Sequence, residues 1–180
     1  MNIEHYETGN NASIITYNGK TPILDKSVFI TEGVRIIGDV VIGKDSSIWY
    51  NTVIRGDVNY IRIGERTNIQ DLSMLHVTHD FFPLNIGNEV TIGHNVSLHG
   101  ATIKDRVLIG IGAIVLDNSI INSNTLIAAG ALVKEGFEVP EGVLFAGVPG
   151  KVIRDLRQDE IDRIAESAQN YVNYINKYRT

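Results

Sequence analysis

Aliphatic residues recur every six positions through most of this chain, and that period constrains the fold more than any other feature. The first run is Leu24, Ile30, Ile36, Ile42, Ile48 and Ile54. The phase then slips by three to Ile63, Ile69 and Leu75, and by five to Ile86, Ile92 and Leu98. One residue is lost before the last run, Ile103, Ile109, Val115, Ile121, Ile127 and Val133, which brings the starts to eighteen. Glycine often follows a start (Gly43, Gly64, Gly87, Gly93, Gly110), and a small or β-branched residue often stands four after it (Val28, Val34, Ser46, Thr67, Ala113). A period of six is neither the 3.6 of a helix nor the 2 of a strand. It predicts a triangular parallel β-helix of six coils, an all-β solenoid in which each hexapeptide makes one short strand and one corner. A β-sandwich of short strands is the competing fold, but a sandwich has no reason to hold this period.

Ser13–Tyr17, Asn18-Gly19 and Lys20–Leu24 read as a hairpin with a type I′ turn, capping the first coil over residues 13–24. The period fades after Val133, where Glu138–Gly142 and Gly147-Val148-Pro149-Gly150 read as turns. Ile161, Ile164, Ala165, Ala168, Val172 and Ile175 then follow helical spacing. Asp159 and Glu160 at its head and Lys177 and Arg179 at its tail suit the macrodipole. The expected division is a β-helix domain over 1–153 and a C-terminal α-helix within 154–180, lying on a prism face from about Gln158 to Lys177.

Composition narrows the function. A net charge of −5 lacks the basic excess of a nucleic-acid binder. With no cysteine, any metal must use His, carboxylate or water. No apolar run reaches the roughly 18 residues of a membrane span. Met1–His5 lacks the basic and apolar regions of a leader, so a cytoplasmic protein is expected.

Four of the five histidines fall between Asn68 and His99. His76 follows Leu75, and His99 follows Leu98, three repeats later. The register therefore stacks the two on one face, about 4.7–4.9 Å apart. That spacing lets both reach one ion at about 2.0–2.1 Å. Arg55, after Ile54, heads the same column. His94 stands two after Ile92 on the preceding face, so it completes such a site only from a neighbouring copy, as in a homotrimer. His5 and His79 read as surface residues, with His79 on the slip loop Val77–Pro83.

The hexapeptide run, Arg55-Gly56-Asp57, Asn68-Ile69-Gln70-Asp71, the His76/His94/His99 spacing and Gly147–Ile153 resemble the gamma-class carbonic anhydrase family. The resemblance implies a left-handed coil, an exception to the right-handed crossover rule. It implies a homotrimer with Zn²⁺ (or Fe²⁺ or Co²⁺) held by His76, His94 and His99 at each interface, where activated water adds to CO₂ to give bicarbonate. It further implies that Gln70 orients water or CO₂, that Arg55 and Asp57 pair across the interface, with Arg55 on bicarbonate, and that Asn68 supports the pocket. Tyr171 and Asn173 then overhang it from the helix. Two features depart from the family's fast members. Their long acidic loop with a proton-shuttling glutamate is here the short Val77–Pro83, and a second glutamate is Val58. Two other functions fit the same pattern: an acetyl-CoA-dependent acyltransferase using one histidine as base, and a metal-binding trimer without turnover.

Overall fold

The computed structural model describes residues 5–8 and 11–178. The start of the chain, read above for a leader, and Arg179 at the helix tail lie wholly or partly outside the described residues.

The chain winds as a left-handed parallel β-helix with a single helix at its C-terminus. Each repeat start points inward, and starts three repeats apart are hydrogen-bonded neighbours. Three columns result. On face A, Ile36 pairs with Ile54, then Leu75, Leu98, Val115 and Val133 follow in register. Face B stacks Leu24, Ile42, Ile63, Ile86, Ile103 and Ile121. Face C stacks Ile30, Ile48, Ile69, Ile92, Ile109 and Ile127. Every start from Ile36 to Val133 is buried, and only Leu24 and Ile30, at the open N-terminal end, are half-exposed.

A parallel coil must turn three corners per circuit. It does so with a left-handed residue three positions after a start: Asp45, Asn51, Arg66, Leu72, Glu89, Asn95, Arg106, Asn118 and Asn124, with glycine at positions 33, 112, 130, 136 and 142. Asn, Asp and Gly tolerate that conformation, which costs other residues roughly 1–2 kcal/mol. The glycines after the starts serve a different need. A Cβ on Gly64 would lie 2.5 Å from the carbonyl oxygen of Gly87 on the next coil, so stacked backbones leave room for hydrogen only.

Three expectations change. The period does not end at Val133: Val139 pairs with Ile121 and Phe145 with Ile127, both fully buried, so the prism runs to about seven turns. The slip between Ile54 and Ile63 is one continuous strand, Val53–Ile63, that rounds a corner and bulges opposite Gly38–Val40. The hairpin over Ser13–Leu24 is reduced to its turn. Asn18 and Gly19 have positive φ and Tyr17 bridges to Lys20, but Ser13–Ile15 pair in parallel with Arg35–Ile37, and Ile23–Leu24 with Val41–Ile42. The first coil offers unpaired backbone groups, and satisfying them outweighs a free-standing hairpin.

The last coil closes differently. Val143–Gly147 and Gly150–Asp155 form an antiparallel pair around a cis Val148–Pro149 bond. The helix Gln158–Tyr178 then packs back on face C against Ser47–Ile48 and Thr91–Ile92. Ile164, Ala168 and Ile175 are buried, and Trp49 meets Tyr171 and Tyr178 edge-on at 5.4 and 5.2 Å. At its head, Glu160 accepts the Arg157 backbone N–H (2.9 Å), satisfying a donor the helix cannot. Among the described residues no helix is long and apolar enough to cross a membrane.

Leu98 sits mid-column with no solvent exposure. Leu98→Ala should lower unfolding free energy by about 2–5 kcal/mol, read from urea denaturation; a loss within experimental error would contradict the stacked core.

Candidate metal centre

The residues singled out from the sequence fall into two groups on adjacent faces. The first lies on face A. His99 pairs in register with His76, and Arg55 extends the column because Ile54 pairs with Leu75. Being one past an inward start, all three point outward. The second group lies along face C and its corner with face A: Asn68, Gln70, Asp71, His94 and Tyr171.

In the first group, Arg55 Nη1 pairs with Asp57 Oδ2 of its own chain at 2.5 Å. The other oxygen of Asp57 accepts the Nε2–H of His76 at 3.0 Å. His99 donates its Nδ1–H to Asp117 at 2.7 Å. These two carboxylates set the tautomers, leaving Nδ1 of His76 and Nε2 of His99 unprotonated. Those nitrogens face each other at 3.0 Å. Two lone pairs so placed repel unless a shared proton or a metal cation lies between them. Two imidazoles on one tetrahedral ion would place their nitrogens roughly 3.3 Å apart at bond lengths of about 2.0–2.1 Å. The pair therefore fits as half of a metal centre.

Burial, first of all, holds the His76 imidazole below its ordinary value of 6.5, and the Arg55 charge adds to this against the opposing pull of Asp57. Asp57 is held below the usual carboxylate range by its bonds to Arg55 and His76, which outweigh the effect of burial. A neutral imidazole beside an ionised carboxylate is the state a metal needs.

In the second group, Asn68 and Gln70 are buried. Gln70 Nε2 donates to Asn68 Oδ1 at 3.1 Å, Asn68 Nδ2 to Thr91 Oγ1 at 3.0 Å, and Thr91 to Ser167 of the helix at 3.2 Å. The helix thus fixes the amide of Gln70. His94 Nδ1 lies 2.7 Å from an Asp71 carboxylate oxygen, and the ring is half-exposed at the corner. Burial pushes the Tyr171 phenol up to about 12, with the charge of Asp71 adding to it, so Tyr171 stays protonated at the corner. Asn173 lies apart, exposed and bonded to Gln169 at 3.2 Å. His79 pairs with Asp80 at 2.9 Å on the loop surface.

Among the described residues no three His, Asp or Glu side chains gather on one point within a chain. His94 is on the wrong side of the corner for its own His76 and His99. Around the histidines the surface is apolar: Met74, Ile114 and Leu116 on face A, Leu72 and Ile111 at the corner, all exposed. Leu72 even holds the left-handed corner position, where its side chain gains nothing from the conformation. Exposed patches of this kind mark association surfaces. A polar cleft of about 240 Å³ opens beside Asp57, lined also by Lys20, Asp39, Asn59, Tyr60 and Asp80. Asp117 is the contact that the sequence reading missed. It stands two past Val115, which pairs with Leu98, so the register could have placed it beside His99.

No protein-family profile matches the chain. Individual relatives do. A carbonic anhydrase of Geobacillus kaustophilus is 49% identical over 159 residues, which cover 88% of this chain and 87% of that one. The mitochondrial gamma carbonic anhydrase 2 of Arabidopsis thaliana is 44% identical over 86% of this chain. The match spans 57% of the plant protein's length. Among solved structures, a Bacillus cereus protein carrying an acetyltransferase designation superposes with a TM-score of 0.90 at 42% identity, covering 94% of this chain and 98% of that one. The fold and the histidine column define a hexapeptide-repeat protein built around an imidazole cluster. Within that class, the chain belongs to the gamma carbonic anhydrase family, whose activity implies a catalytic metal.

In metal-free protein His76 yields a pH signature. The unfolded chain takes up this proton below pH 6.5 while the folded chain resists it, so stability is intact above 6.5 and erodes as pH falls below it. Urea titrations from about pH 8 to about pH 5, with chelator present, should show parent losing more stability than His76→Gln; equal losses would refute the assignment.

Proposed function

We propose that this chain forms a homotrimer that reversibly hydrates CO₂ to bicarbonate, with a divalent ion, Zn²⁺ by preference of three imidazoles, at each seam. The in-register pair His76 and His99, whose nitrogens face each other at 3.0 Å, carries the proposal. His94 of an adjoining copy supplies the third nitrogen, and the apolar residues around the histidines cover one another in the seam. Three neutral ligands leave one position open. When bound, the ion lowers the pKa of a water toward neutrality and makes it a nucleophile there.

The chain's own residues do the rest. Gln70, held by Asn68 and through it by Ser167, presents an amide that orients water or CO₂. Tyr171, neutral at any physiological pH, closes the corner without adding charge. Arg55 offers a guanidinium to the bicarbonate product while Asp57 holds its position. Asp57 also lines the polar cleft shared with Asp80, where solvent can take up the proton released in hydration. Asn173 keeps only an outer place, bonded to Gln169.

Acyl transfer is the second reading, favoured by the designation of the Bacillus cereus structure. One histidine would suffice as base for it, and the converging pair is then surplus. A trimer that binds metal without turnover is the third.

Stopped-flow CO₂ hydration by Zn²⁺- and Fe²⁺-loaded protein separates these. Parent should accelerate hydration, and His94→Ala should lose the ion and fall to background while remaining trimeric. Full metal occupancy in His94→Ala refutes the ligand assignment. Metal-loaded parent without hydration supports the third reading, and acetyl-CoA binding by metal-free protein the second.

A further inference from the structure

Asp117 approaches His99 from the side away from His76. Its Oδ1 accepts the His99 Nδ1–H at 2.7 Å, and its Oδ2 accepts the Thr78 hydroxyl at 2.9 Å. The neighbouring coil makes room for this. Gly100 has a φ of +53°, and a Cβ there would lie 2.1 Å from Asp117 Oδ1 and 2.8 Å from Phe82 Cβ. Only a bare glycine lets the carboxylate reach the ring. The carboxylate is held on rigid backbone: Asn118 N–H donates to Gly100 O at 2.8 Å, and Gly136 N–H to Asp117 O at 2.9 Å. Thr78 opens the inserted loop, which closes on itself where Thr78 N–H donates to Phe82 O at 3.1 Å.

We propose that Asp117 is a positioning residue for metal binding, fixing the tautomer and angle of His99, and that Thr78 ties this function to the 77–83 loop. The inference rests on the reading of His99 as a ligand. An imidazole ligates through one nitrogen, and the hydrogen bond at the other decides which nitrogen is free and where it points. Asp117 holds the proton on Nδ1 and so presents Nε2 to the point that His76 Nδ1 also faces. The loop insertion thereby gains a role at the site. Its first hydroxyl orients the carboxylate that orients the ligand.

The test uses full-length parent, Asp117→Ala and Thr78→Val. Zn²⁺ affinity is read by competition with a chromophoric chelator, the His99 tautomer by ¹⁵N NMR of metal-free protein, and assembly by light scattering. Asp117→Ala should bind Zn²⁺ about 10- to 100-fold more weakly and lose its Nδ1–H preference, with oligomeric mass and metal-free thermal midpoint unchanged. Thr78→Val should shift both readouts in the same direction by less. Parent that binds no Zn²⁺ sinks the metal reading itself and this inference with it. Parent that binds Zn²⁺ while Asp117→Ala binds equally tightly overturns this inference alone, as does an affinity loss matched by a falling metal-free midpoint. Should Asp117→Ala fail to assemble, Thr78→Val decides, and unchanged affinity and tautomer in it overturn the proposal.

Discussion

Everything in this molecule depends on parallel backbone hydrogen bonding between coils one sheet spacing apart. Each inward aliphatic residue lies over its counterpart in the coil below, from Ile36 through Val133 on face A. The bonds hold the register, and burial of the columns holds the bonds. Neither alone is sufficient, since strands of two or three residues are far too short to persist in water singly. Once the register is set, whatever stands one past an inward residue is set too. That is how a nonpolar scaffold can present imidazoles with the accuracy that ligation requires.

The same arithmetic separates the two groups of polar residues. Arg55, His76 and His99 share a column on face A, and Gln70 and His94 belong to face C and its corner. A rigid prism cannot bend one toward the other. Within one chain the two groups stay apart, and the exposed apolar residues around the histidines make that face one suited to association. Helix Gln158–Tyr178 contributes from the other direction: Ser167 and Tyr171 hold Asn68, Gln70 and the corner in place from above.

Much of this was legible in the residues. The inward columns and the stacking of His76 under His99 follow from counting, because a period of six has one folded meaning. What counting missed has physical causes. Val139 precedes a proline and Phe145 is aromatic, so neither continued the aliphatic run, yet both fill the core. The strand Val53–Ile63 hid a bulge inside what looked like a phase slip. The isolated pairing of Tyr17 with Lys20 showed that a good turn need not bring a hairpin when a neighbouring coil offers better partners. Asp117 was passed over because its value lies in contacts to Thr78, on an insertion without period, and to His99 across a glycine. The register alone could have set Asp117 beside His99, but its contact to Thr78 lies on a loop that no period describes.

The closing pair Val143–Gly147 and Gly150–Asp155 carries a consequence for how copies meet. A solenoid that ended on a bare parallel strand would template another below it, and chains would thread into fibres. Here the final strand runs the opposite way and bears Lys151, Arg154 and Asp155, exposed. A second prism finds no matching direction at that mouth, so end-to-end stacking gains no continuous parallel ladder.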